Sequence, residues 1–194
     1  MIGWGIKHRR ELDAIIGLGG ESDRAAAIVA ATIVEDRLER KLKTVLRNSK
    51  SVFELLFSSN RPLHFVSARN HLAYLMRVYG KPFYQEMGTI GSIRNKFAHI
   101  IADDKDRPVK DFKSPIIQEL CDELKLLKPI LLGESKSREV GSTGKSPSWA
   151  KIAPQDALSD PKTKYLMTCA LCAGVLSGHL DQKIIKAVLA ETAP

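Results

Sequence analysis

Residues 25–46 constrain the fold more than any other stretch. From Ala25 to Val34 the sequence is apolar nearly all round, which buries a helix on most of its sides. From Leu38 onward only one face stays apolar, through Leu38, Leu42, Val45 and Leu46. Ser22 is a good N-cap just ahead, and Asp23 stands in the first turn, where the helix dipole favours an anion. The pattern predicts one helix of about 25 residues that begins in a core and ends in solvent. On a helical wheel Glu35 falls on the side of Ile28, Leu42 and Leu46. A carboxylate there needs a partner, because burying it unpaired is costly. Asp36 lies about a quarter-turn away, beside Val29 and Thr32.

The rest of the chain also reads as helices. Residues 8–17 form a short one ended by Gly17, Gly19 and Gly20, and residues 51–57 another. Ser58-Ser59-Asn60-Arg61-Pro62 reads as a turn. Ser67 is expected to cap a helix whose apolar face is Ala68, Leu72, Leu75, Met76 and Tyr79, with Arg69, Asn70 and Arg77 pointing elsewhere. Gly80 should stop it and Pro82 start a further short helix. Residues 88–101 read as the next helix and 103–108 as a loop. Ser114-Pro115 opens a helix to about Lys128 carrying Ile117, Leu120, Leu124 and Leu127. No run alternates apolar and polar residues well enough to be a strand. The expected class is all-α, an antiparallel helix bundle with extra C-terminal helices. Residues 1–132 would hold the bundle. Residues 133–160, rich in Gly, Ser, Pro and Lys, would be a connector pinned in part by Trp149 and Ile152. Residues 161–194 would hold the C-terminal helices, one begun by Asp160-Pro161 and running through Val175, and a last one over 180–189.

Composition narrows the function classes. Aromatics are 6% of 194 residues against 44% hydrophobic, so the core is mostly aliphatic. No apolar run of about 18 residues is present, so no membrane span is expected. The opening Met1-Ile2-Gly3-Trp4-Gly5-Ile6-Lys7-His8-Arg9-Arg10 lacks the order of a secretory signal. Cys169 and Cys172 form a Cys-x-x-Cys inside the apolar run Met167–Leu176. No second pair completes a metal set, and a redox pair needs a strand-to-helix context. They read as small core residues, with Cys121 the third cysteine. A reducing, cytoplasmic location follows, with no metal and no cofactor expected. The formal charge of +8 permits RNA contact without demonstrating it. Much of the excess comes from Arg37, Arg40, Lys41, Lys43, Arg47 and Lys50, which read plainly as a solvated helix face.

Gly91-Ser92-Ile93-Arg94-Asn95-Lys96-Phe97-Ala98-His99-Ile100 gathers chemically useful groups most tightly. As a helix through Ile101 it has one apolar face: Ile90, Ile93, Phe97, Ile100 and Ile101. Arg94 sits at the edge of that face, while Asn95 and His99, four apart, share another. Arg94 and His99 are about 140° apart around the axis. One straight helix cannot easily aim both at one small ligand. Either the helix distorts near Ala98, or a second copy completes the cleft, as a homodimer with these helices across a two-fold axis. Two roles stay open for Arg94. It can pair with Glu35 in a bidentate fork, a structural use. Or it can hold a phosphate while His99 acts as general acid or base beside Asn95, cleaving RNA through its 2′-hydroxyl without metal.

Ile93-Arg94-Asn95-Lys96-Phe97-Ala98-His99 resembles the Arg-Asn-x-x-Ala-His signature of HEPN domains. Within that superfamily the chain most resembles the mannitol operon repressor (MltR) family. The resemblance extends to Glu21-Ser22-Asp23-Arg24-Ala25-Ala26-Ala27 and to Glu35-Asp36-Arg37-Leu38-Glu39. It continues through Arg61-Pro62-Leu63, Ser67-Ala68-Arg69 and Leu72-Ala73-Tyr74. The motif positions it marks are Ser22, Asp23, Arg24, Glu35, Pro62, Ser67 and Tyr74. The order and spacing of these blocks, over about residues 20 to 130, are more specific than the hexapeptide alone. The resemblance implies a HEPN-like four-helix core and frequent dimers. Its ribonucleases, some of them toxin partners of small nucleotidyltransferases, would place catalysis on Arg94, Asn95 and His99. The MltR branch is described as repressing mannitol uptake genes without an obvious DNA-binding motif, hence through a protein partner, a regulator or an antitoxin. No helix-turn-helix with a basic recognition helix stands out here. The expected function is therefore MltR-like transcriptional regulation through protein contacts. The alternative is a metal-independent ribonuclease.

Overall fold

The computed structural model describes residues 10–99, 111–127 and 158–178. Seven α-helices lie within them: α1 (Arg10–Gly17), α2 (Asp23–Val45), α3 (Lys50–Phe57), α4 (Val66–Leu75), α5 (Lys81–Ala98), α6 (Pro115–Glu123) and α7 (Pro161–Ser177). A 3-10 turn, Leu18–Gly20, joins α1 to α2, and no strand occurs among the described residues. The protein is an all-α helix bundle. The expected loop at 103–108, the segment 128–157 with Trp149 and Ile152, and the last helix over 180–189 lie outside the described residues.

α2 forms because its start is capped and its first half is small and apolar. Ser22 Oγ accepts from the Ala25 amide at 3.3 Å. Ala26, Ala27, Ala30, Ala31, Val34, Leu38 and Leu42 are buried along it. The alanines let α7 come close enough for Tyr165 Oη to donate to the Ala27 carbonyl at 2.8 Å. α7 is buried from Tyr165 to Leu176 apart from the half-buried Met167. Asp160 caps it, accepting from the Thr163 amide and hydroxyl at 2.8 and 2.6 Å. Gly178, at φ +67°, closes it in the left-handed conformation that glycine adopts without strain. Cys169 and Cys172 are core residues of this helix, and all three cysteines are free and buried. Rings of Phe97, Phe112 and Tyr165 link α5, the approach to α6, and α7, with centroids 4.9 and 5.4 Å apart.

Three elements differ from the sequence reading. The first is α5, which runs unbroken from Lys81 to Ala98 with Gly80 as its N-cap and Pro82 in its first turn. Phe83, Met87, Ile90, Ile93 and Phe97 make one continuous buried stripe. That stripe carries the helix across Gly88 and Gly91, each worth about 1 kcal/mol less than alanine in a helix. The helix ends at Ala98, not Ile101, and His99 is its C-cap. The second is α6, which ends at Glu123 because the amides of Lys125 and Leu126 leave the helical pattern. They donate instead to the buried Glu86 carboxylate on α5, at 3.1 and 3.2 Å.

The third is α4, whose N-cap is Phe65, so Ser67 falls inside the first turn. Its buried face is turned from the expected one. Arg69, Asn70 and Ala73 are buried and Leu75 and Met76 exposed, while Ala68 and Leu72 pack partly against the core and Tyr79, beyond the helix, is buried. Partners elsewhere decide this. Arg69 Nη1 donates to Glu39 of α2 at 2.6 Å and Nη2 to the His64 carbonyl at 3.2 Å. Asn70 Nδ2 donates to the Tyr84 carbonyl at 3.0 Å, and its Oδ1 accepts from Tyr79 Oη at 2.7 Å. A buried polar group is tolerated once hydrogen-bonded, and these bonds hold the polar face inward.

Candidate functional site

A cavity of about 410 Å³ opens between α4 and α5, within the size range of small-molecule sites. Phe65, Ser67, Asn70 and His71 line one side, and Tyr84, Gln85, Gly88, Gly91, Ser92, Arg94 and Asn95 the other. The two glycines keep the α5 wall low: a Cβ at either would meet nothing within 4 Å. Arg94 and Asn95 are thus brought together in one groove. His99 is not among its lining residues and is exposed at the end of α5. His71 lines the groove and was not foreseen from the sequence. Its Nδ1 lies 3.0 Å from Tyr84 Oη, and the Tyr84 ring stacks on Tyr74 at 4.8 Å.

Arg94 is committed on one edge. Its Nε and Nη2 both donate to Glu35 Oε1, at 3.2 and 2.8 Å. The two donors converge on a single oxygen rather than meeting one oxygen each. The pair is half-buried, at 28% exposure for Arg94 and 15% for Glu35. Nη1 has no hydrogen-bond partner among the described residues. One turn further along α2, Glu39 takes Arg69. Two acids four residues apart therefore hold α5 and α4 in turn. The Glu35-to-Glu39 spacing was visible in the sequence and the pairing of Arg94 with Glu35 was one of the roles it left open, but Arg69 as the partner of Glu39 was not foreseen.

The motif residues at the start of α2 act as a fastening. Asp23 Oδ2 accepts from the Phe112 amide at 2.8 Å, and its Oδ1 pairs with Lys162 of α7 at 2.9 Å. Arg24 Nη2 donates to the Ala98 carbonyl at 3.4 Å, meeting one of the orphan acceptors at the end of α5. Ser67 is an exposed residue of the groove wall. Pro62 is exposed in the turn after α3. Asp36 pairs with Arg40 at 2.9 Å on the surface of α2. No group of three or more His, Cys, Asp or Glu side chains among the described residues could hold a metal ion. No helix there is long and apolar enough to cross a membrane.

Fold and groove together define an all-α bundle whose α4–α5 face carries the groove. No protein-family model and no curated protein matches the chain. Its fold is similar to a chain in the X-ray structure of the MtlR-HPr complex from Escherichia coli, with a TM-score of 0.58. The match covers 86% of this chain and 98% of that one, at 15% identity. At that identity the likeness is one of fold.

Proposed function

We propose that this chain is a regulatory protein of the MltR type that acts through protein contacts rather than by reading DNA itself. The observation that carries the proposal is the use made of Arg94. Its guanidinium is fastened to Glu35, and His99 stands outside the groove that Arg94 lines. Asp23, Arg24 and Glu35, three of the motif positions, hold helices to one another. Such residues build a scaffold. The fold likeness extends over nearly the whole of a chain solved in the MtlR-HPr complex, which supports a role in which a protein partner is bound.

The test has three arms on the purified chain: titration with purified HPr from the same cell, a gel shift with operator DNA, and incubation with total RNA. Protein binding without DNA or RNA activity is expected. Tight, sequence-specific DNA binding by the chain alone would overturn the reading. RNA cleavage abolished by His99→Ala would replace it with the metal-independent ribonuclease built on Arg94, Asn95 and His99, in which a second copy of the chain would complete the cleft.

A further inference from the structure

α4 buries polar residues and exposes large apolar ones. A helix sorted by hydrophobicity would bury Leu75 and Met76 and leave Arg69 and Asn70 in water. Here Arg69 and Asn70 are buried, and Leu75 is 76% exposed, with Phe65 at 62% and Tyr74 and Met76 also exposed. Large apolar side chains exposed among the described residues are Val29 and seven that fall between positions 45 and 76. Just beyond Met76 the chain turns through Arg77, held at φ +57°, a conformation that costs a non-glycine residue of order 1 kcal/mol.

The charge of the same region is one-sided. Residues 40–85 carry nine lysines and arginines against one acid, Glu54, a surplus equal to the chain's whole formal charge of +8. Three of the nine are answered within the fold: Arg40 by Asp36, and Lys43 and Arg69 by Glu39. Arg47, Lys50, Arg61, Arg77 and Lys81 are exposed. Arg61 and Arg77 flank the stretch from Phe65 to Met76 in the chain, so exposed apolar side chains and exposed cations share it, a combination suited to a protein interface. Nucleic-acid interfaces are more polar, and a duplex has nothing to place on Leu75 and Met76. Single strands stack on free aromatic faces; here Tyr74 has one face taken by Tyr84 and Phe65 meets His64 edge to face, so single-stranded RNA is one arm of the test.

We infer that the outward face of α4, from Phe65 to Arg77, docks an acidic, amphipathic segment of a protein partner. The partner's apolar side chains cover Leu75 and Met76, and its carboxylates meet the flanking cations. The adjoining groove offers a further carboxylate Arg94, whose Nη1 has no hydrogen-bond partner among the described residues. This inference rests on the protein-contact reading above and adds the surface and the partner's chemistry.

The test uses the full chain and two labelled synthetic amphipathic helices, one with glutamates opposite leucines and one with lysines in their place. Fluorescence anisotropy should detect binding of the acidic peptide, weakening with added salt, and none of the basic one. Leu75→Ser and Arg77→Glu should each weaken it about tenfold. Val29→Ser, an exposed apolar position on the first half of α2, should leave it unchanged. Circular dichroism melts check that each variant is folded. No binding of the acidic peptide, equal binding of both peptides, or equal binding by wild type and Leu75→Ser would overturn this surface while leaving the protein-contact reading standing. So would a dimer of the chain that Leu75→Ser dissociates, because the occupant is then a second copy. Tighter, Leu75-dependent binding of single-stranded RNA or of anionic vesicles would also overturn it. Sequence-specific DNA binding would overturn the protein-contact reading itself.

Discussion

Glu86 is 3% exposed, and its nearest hydrogen-bond partners are two backbone amides rather than a cation. Burial pushes its carboxyl above the ordinary range, opposed by the amides of Lys125 and Leu126 and by the charges of Lys164 and Lys125. The folded state therefore holds the proton more tightly than the unfolded state does. Stability from this group is fully present below the unfolded carboxylate pKa and is lost as pH rises through the folded value. Melting curves across pH 4 to 8 should show wild type losing stability relative to Glu86→Gln as pH rises, and a constant difference would refute this. Glu86→Ala leaves the buried Leu126 amide and the part-buried Lys125 amide without their acceptor and should cost about 2–4 kcal/mol. Cysteine chemistry belongs to the same scale. Burial pushes the Cys121 thiol up to about 12, and raises those of Cys169 and Cys172 well above the ordinary thiol range. A thiol reagent at pH 8 should leave the native chain almost unlabelled and modify all three cysteines in denaturant. Rapid native labelling would contradict their placement.

The elements differ in how much of each was legible. α2 and α7 could be read because their signals are local: a cap, a start and an apolar pattern of the right period. α4 could not. Its orientation is set by Glu39, thirty residues away, and by the Tyr84 carbonyl, and a wheel counts hydrophobicity without seeing partners. The sequence reading divided α5 in two, a short helix from Pro82 and a separate one after it, whereas the buried stripe from Phe83 to Phe97 runs across Gly88 and Gly91 without a break. Gly88→Ala and Gly91→Ala have open space for the new methyl group. Each should raise stability by about 0.5–1 kcal/mol, and a fall in melting temperature would show that the groove needs bare backbone.

At the scale of the molecule, the sequence announced an all-α bundle and marked Arg94, Asn95 and His99. It did not reveal that α5 ends before His99, nor that α4 supplies the opposite wall of a groove. Those depend on contacts between residues far apart in the chain. The two-acid arrangement on α2 ties them together, since Glu35 holds α5 and Glu39 holds α4. The claim that Arg94 serves the scaffold is tested most directly by a double-mutant cycle on Arg94→Ala and Glu35→Ala, read by thermal unfolding. Because the pair is half-exposed, each single change should cost about 1–2 kcal/mol, less than a fully buried pair would. That lowers the melting temperature by roughly 2–8 °C, and the double variant should fall short of the sum by about 1 kcal/mol. An Arg94→Ala protein that melts with wild type, and adds independently to Glu35→Ala, would contradict it and leave Arg94 free for a ligand.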